Sequence, residues 1–174
     1  MAVRFGCLPV GWSLLTGVIA GASALSPADQ FAGHYVLIRD QSADLREAID
    51  RATATMNFIV RPIARRQLRQ KTVLCSSFSM EKTGGFLRIT LAGEPALSLP
   101  LSGAAVPWRA PDGETVRVHL IPGPELVQVF EAKLGRRENH FTLSADRAVL
   151  TMSVKITSYE LPQPVEYRLI YRRV

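Results

Sequence analysis

The side chains best suited to chemistry are three histidines, His34, His119 and His140, and Cys75. The histidines fall on three separate segments, without the i,i+4 or H-x-H spacing that brings two imidazoles onto one ion, so no metal and no cofactor is expected. Glu47 and Asp50 are a carboxylate pair, but they sit in the first turns of a helical segment, where dipole and salt-bridge roles account for them. No Gly-x-Ser-x-Gly occurs, and Gly84-Gly85 lacks the following helix that a phosphate loop requires. Cys75 follows the apolar Val73 and Leu74 and reads as a small core hydrophobe, with a reactive thiol as the lesser alternative. No catalytic residue is assigned, and an enzyme is not expected.

Binding offers more. Arg61, Arg65 and Arg69 share one face if a helix continues through Pro62, with Arg66 and Lys71 close by, and such a face suits an anionic lipid surface. The competing reading is a solvated helix end whose cations complement the helix dipole. Tyr167 and Tyr171, at period two in a strand, and Met152, on the apolar face of another, are the candidates for lining a cavity; packed core is the alternative.

Where the protein works follows from its first residues. Met1-Ala2-Val3-Arg4 is a short basic start, followed by an apolar run and the small-residue site Ala22-Ser23-Ala24, the pattern of a cleaved export signal over residues 1–24. Pro9, Gly11, Gly17 and Gly21 interrupt the run, and no basic stop-transfer flank follows, which disfavours a membrane anchor. Cleavage leaves residues 25–174 as a single domain with one cysteine, hence without an intrachain disulfide, and a net charge of +5. A domain of this length buries roughly 70% of the surface of its unfolded chain and needs no such staple. The composition, 47% apolar and 21% charged, excludes disordered and collagenous chains. The excess of basic charge permits anionic partners, but export and the lack of a recognisable module exclude nucleic acid. A periplasmic or secreted location is expected.

The elements that must position these residues divide into one helical segment and a long β region. Leu45, Ile49, Ala52, Met56, Ile59 and Ile63 step by four and three, one stripe of a helix running from about Ala43 to Gln70. Ser42 is the expected N-cap, and Pro62 is expected to kink or break the helix. A short strand fits Gly33 to Ile38. After Lys71 the period becomes two, with strands expected over 73–80, 85–91, 96–101, 115–121, 126–134, 139–143, 148–157 and 165–173 and turn chemistry between them, including Asp112-Gly113, Pro122-Gly123-Pro124 and Gly135-Arg136. Alternation is cleanest at the end, where Leu150, Met152 and Val154 oppose Thr151, Ser153 and Lys155. The parity of Gln128 and of Arg88 is left open. About eight strands with no second crossover helix need their edges hidden, so an antiparallel barrel is expected, with a two-sheet sandwich as the alternative.

Two features then resemble the lipocalin-like, calycin-type barrels: Gly33-His34-Tyr35, preceded by Phe31-Ala32, at the first strand, and a last strand carrying Arg168 and Arg172. In that superfamily a Gly-x-Trp packs against a late arginine and closes the base of a cup that holds a small apolar ligand; here Tyr35 stands for the tryptophan. The segment from Phe141 to Arg173 also resembles exported bacterial proteins of no assigned function. The resemblance implies a non-catalytic exported protein that binds a small apolar or lipid-like molecule, against a structural or interaction protein whose barrel is filled by its own side chains. Intact mass of the protein from the envelope fraction tests the export reading: a mass lacking residues 1–24 is expected, and one that retains them overturns it.

Overall fold

The structure is a computed structural model that describes residues 27–72, 74–110, 113–121, 123 and 125–174. The expected leader with Cys7 and Trp12 lies outside these residues, as do Val73, Asp112, Pro122 and Pro124 of the expected strand start and turns. A short helix α1 (Pro27–Gln30) leads into β1 (Gly33–Leu37), and two helices follow, α2 (Leu45–Ala52) and α3 (Arg61–Lys71). The remainder is a meander of β2 (Ser77–Thr83), β3 (Phe86–Leu91), β4 (Leu97–Pro100), β5 (Val106–Arg109), β6 (Thr115–Ile121), β7 (Leu126–Glu131), β8 (Gly135–Leu143), β9 (Val149–Ser158) and β10 (Val165–Arg173). All pairings are antiparallel, and β1 pairs with both β2 and β10, so one sheet curls round in the order β4-β3-β2-β1-β10-β9-β8-β7-β6-β5. Only β4 and β5 remain unpaired with each other, and β4 lies against β6 across that seam. The fold is a nearly closed antiparallel barrel.

Ten strands stand where about eight were expected. The strand absent from the sequence reading is β5, whose Pro107 removes a ladder donor and argues against a strand; at an edge, paired only with β6, that loss is tolerated. The turn between β7 and β8 also lies earlier than Gly135-Arg136. Residues 132–134 make it, closed by the Ala132 amide on the Gly135 carbonyl, 2.9 Å, so β8 begins at Gly135 and carries Arg136, Arg137 and Glu138 in regular strand.

The helical segment expected over 43–70 breaks into two helices, but over residues 53–60, before Pro62. Asp44 caps α2, accepting from the Arg46 amide at 2.8 Å, while Ser42 instead knits β1's extension to β10: its hydroxyl donates to the Ile38 carbonyl, 2.7 Å, and accepts from the Ile170 amide, 3.0 Å. The Thr53 hydroxyl turns back on the Ile49 carbonyl, 2.9 Å, and Asn57 accepts from the Ile59 amide, 2.9 Å, local bonds that compete with helix between α2 and α3. Pro62 falls in the first turn of α3, where its missing donor costs nothing. Only the first half of the apolar stripe is therefore core. Ile49 is fully buried with Ala48 and Ala52, whereas Ile59 and Ile63 are exposed.

Inward residues of the strands form one core with α2 and Phe31. Its closed end is aromatic: Phe78 stacks on Tyr35 at 5.2 Å between ring centroids and meets Tyr171 edge-on at 4.9 Å. The closing arginine is Arg173, because register sets Tyr35 opposite Arg173; Arg168 and Arg172 face outward and are exposed. The Arg173 guanidinium lies over the Tyr35 ring, 5.8 Å from its centroid, and donates to the Gln30 and Ala32 carbonyls. A Cβ on Gly33 would stand 2.5 Å from Arg173 Nε, so glycine is what lets the strand and the guanidinium meet.

Two contrasts test this packing by denaturant unfolding. Ile49→Ala is expected to cost about 2–5 kcal/mol, and the half-buried Met56→Ala less than about 1 kcal/mol. Arg173→Met is expected to cost about 2 kcal/mol through lost charged hydrogen bonds, while the neighbouring Arg172→Met changes stability by less than about 0.5 kcal/mol.

Candidate functional site

The barrel has unlike ends. The Lys71–Glu114 ion pair, 3.5 Å, ties α3 to the β5–β6 turn, and Gln163 donates to the Arg51 carbonyl, 2.6 Å, tying α2 to the β9–β10 turn. The helices thus cover the end opposite the Tyr35–Arg173 closure. At the closed end most inward side chains are buried, with Lys82, Val106, Leu143 and Arg173 partly so. At the helix end Leu97, Trp108, Phe130, Arg137 and Ile156 point inward and are only partly buried, beside the buried Val116 and Val165.

The inward rows at this end are mostly apolar, with one polar chain. Gln128 and Asn139 are cross-strand partners, both buried, and the Asn139 amide donates to Gln128 Oε1 at 2.9 Å. The freed Asn139 carbonyl oxygen accepts from Arg137 Nε, 2.9 Å, and the Arg137 guanidinium lies 6.0 Å from the Phe130 ring centroid, itself edge-on to Trp108 at 5.7 Å. Three cations face inward from the strands. Lys82 pairs with Asp29 at 2.8 Å, and Arg173 is held by backbone carbonyls. Arg137 meets no carboxylate among the described residues, because the acidic residues of the ten strands, Glu81, Glu131, Glu138 and Glu166, all lie on the outward parity.

The residues singled out from sequence fall in different places. Tyr167, Tyr171 and Met152 all face inward and are buried. They form the packed wall beside and below the Arg137 row, and the Tyr171 hydroxyl donates to the Cys75 carbonyl, 3.2 Å. Arg61, Arg65 and Arg69 do not share a solvated face. Arg61 donates to the Met56 carbonyl in the connection between the helices, 2.7 Å, and Arg65 and Arg69 lie 3.0 and 3.6 Å from Asp50 of α2, so the last two fasten α3 to α2. Glu47 pairs with Arg51 at 2.5 Å, the salt-bridge role expected. Among the described residues no three His, Cys, Asp or Glu side chains gather as a metal site, and His140 meets only Glu138, 3.1 Å. Cys75 is half-buried, its thiol donating to the Ser77 carbonyl.

Arg137 was missed because the expected turn at Gly135-Arg136 and a strand begun only at Asn139 left it outside; Asn139 was in that expected strand but not recognised as a site residue, and the alternation of both with Phe141 and Leu143 was the available signal. A separate groove of about 650 Å³ runs along the outer wall beside Asp40, Arg51, Lys155, Glu166 and Arg168. Within it Lys155 pairs with Glu166 at 3.3 Å.

Burial also sets the ionisation of the wall. It pushes Tyr171 well above the ordinary phenol value, reinforced by Cys75 and Tyr167 and opposed by Arg137. Burial raises Tyr167 against the pull of Arg137, and Tyr35 against that of Arg173.

No family model and no curated protein matches the chain. Solved structures do match in fold. A fatty-acid-binding protein of Echinococcus granulosus is 14% identical, with a TM-score of 0.53 over 84% of this chain and 98% of that one. A Schistosoma mansoni fatty acid binding protein in complex with arachidonic acid is 14% identical, with a TM-score of 0.53 over 85% and 98%. A secretory abundant heat soluble protein of Ramazzottius varieornatus is 10% identical, with a TM-score of 0.56 over 83% and 96%. The calycin-type barrel is the shared feature.

The raised phenols make a pH prediction. Their neutral forms are favoured in the folded state, so their contribution is fully present below pH 10, the ordinary value, and is lost as pH rises above it, where unfolded phenols ionise. Denaturation midpoints are expected to fall steeply above about pH 10, with phenolate absorbance of these three residues appearing together with unfolding. Phenolate absorbance that precedes any loss of structure would show that the wall is open to hydroxide.

Proposed function

We propose that this protein binds a small lipid-like molecule inside its barrel, as a non-catalytic carrier exported to the periplasm or the medium. The observation that carries the reading is the set of inward, mostly apolar side chains left partly exposed at the helix end, Leu97, Trp108, Phe130 and Ile156, above the buried Tyr35–Phe78–Tyr171 cluster. A barrel sealed at one base and capped at the other by short helices is a container with a movable cover. The fold neighbours titled as fatty-acid-binding proteins support the same class of ligand.

The cover suits this role. No residue of α3 is fully buried; the partly buried Leu68 packs on the core, and ion pairs and side-chain hydrogen bonds hold the helix to α2 and the β5–β6 turn. Phe58, Ile59, Val60 and Ile63 are exposed along its leading edge. An anionic lipid surface would meet this end through those apolar side chains and Arg66, because Arg65 and Arg69 are engaged with α2 and Arg61 with the Met56 carbonyl.

The competing reading is a filled barrel that serves a structural or interaction role, favoured by the dense aromatic packing at the base. Native mass spectrometry with organic extraction of the purified protein separates the two. A co-purifying amphiphile, or strong enhancement of a hydrophobic fluorescent probe that added fatty acid reverses, is the expected result. Finding neither transfers the reading to the filled barrel.

A further inference from the structure

Resting on that reading, we infer that Arg137 is the head-group site of the ligand, that the ligand is an anionic amphiphile, and that it lies with its head beneath the helices and its tail toward the base. An inward cation in an apolar wall is costly unless it is paired. Lys82 and Arg173 have their partners, and Arg137 has only the single bond from Nε to Asn139. That bond fixes the plane of the guanidinium, since the Asn139 amide is itself committed to Gln128. No bond from the Arg137 Nη atoms to a protein acceptor is found among the described residues, which leaves donors in the fork geometry that a carboxylate or phosphate oxygen pair accepts.

Position sets the orientation. Register places Arg137 level with Ile156 and Val165, in the row nearest the β7–β8 and β9–β10 turns. The next rows toward the base are Asn139–Val154–Tyr167 and then Phe141–Met152–Leu169. A head group on Arg137 therefore has polar side chains one row below it and the apolar Phe141–Met152–Leu169 row below that, a gradient that matches an amphiphile entering tail first. The Phe130–Trp108 pair flanks the head and reports on it.

The test uses the full chain carrying Trp12→Phe, which leaves Trp108 as the single tryptophan. Dodecanoate, neutral dodecanol and cationic dodecyltrimethylammonium are titrated, and fatty acids bearing a nitroxide near the carboxylate or near the methyl end are compared as quenchers. Dodecanoate is expected to bind at least about tenfold tighter than dodecanol, the scale of a charged hydrogen-bonded pair. Arg137→Gln should erase that preference while dodecanol binding persists. Asn139→Asp, which supplies a carboxylate beside Arg137, should erase it too, so the outcome does not hang on one variant. The nitroxide near the carboxylate should quench Trp108 more strongly. Equal binding of dodecanoate and dodecanol, a preference that survives both variants, or stronger quenching from the methyl end overturns the inference and leaves ligand binding standing. If none of the three amphiphiles binds, both fall together.

Discussion

The structure turns on the contact of Arg173 with Tyr35 and Gly33. Without β1 the strands form two separate antiparallel pieces, β2–β4 and β5–β10, and β1, separated from the rest by the helices, joins them by pairing with both β2 and β10. The register Tyr35 opposite Arg173 puts the guanidinium inside the barrel base, where the Ala32 and Gln30 carbonyls leave the chain just ahead of β1. Because a one-residue slip in a strand exchanges its faces, this contact also fixes which side of β10 looks inward. Tyr167, Leu169 and Tyr171 enter the core on its account, and Arg168 and Arg172 are sent to solvent.

Closure at the base leaves the opposite end to the helices, and the two ends are held by different physics. The base uses buried aromatic area, which is insensitive to salt and shared among many contacts. The cover is anchored in the core chiefly by α2, through Ile49, Ala48 and Ala52, while α3 adds the partly buried Leu68 and ion pairs exposed enough to be screened. Local opening free energy follows burial, so α3 is among the first elements to lift and the base among the last. An apolar guest could exchange without the barrel unfolding.

Much of this was legible in the sequence where one face is dry and the other wet. Strands β9 and β10 alternate cleanly because each buries a single face, and their bounds were read nearly as they stand. The barrel and the Gly-x-aromatic closure were likewise readable. The failures lie where a local rule met a tertiary exception. Pro107 disguised an edge strand, in which a missing donor does no harm. The stripe from Leu45 to Ile63 kept helical spacing across a break made by Thr53 and Asn57, since periodicity says nothing about where side chains turn back on the backbone. The partner of Tyr35 was narrowed to a late arginine but not to Arg173, because only register distinguishes it from Arg172.

The polar chain Gln128–Asn139–Arg137 was the least legible feature, for the reason that makes it informative. Inward polar residues break the alternation by which strands are recognised, so a site of this kind erases its own signal. Gln128 and Asn139 satisfy each other and could remain in a core at modest cost. Arg137 is different: Asn139 takes one of its donors and no carboxylate neutralises it. Its half-buried place at the rim keeps the charge tolerable while water reaches it, and a guest that displaces this water must bring acceptors of its own. A hydrocarbon without a head group would strand the guanidinium, whereas an anion would relieve it. The same residue that weakens the empty barrel thus selects what can fill it.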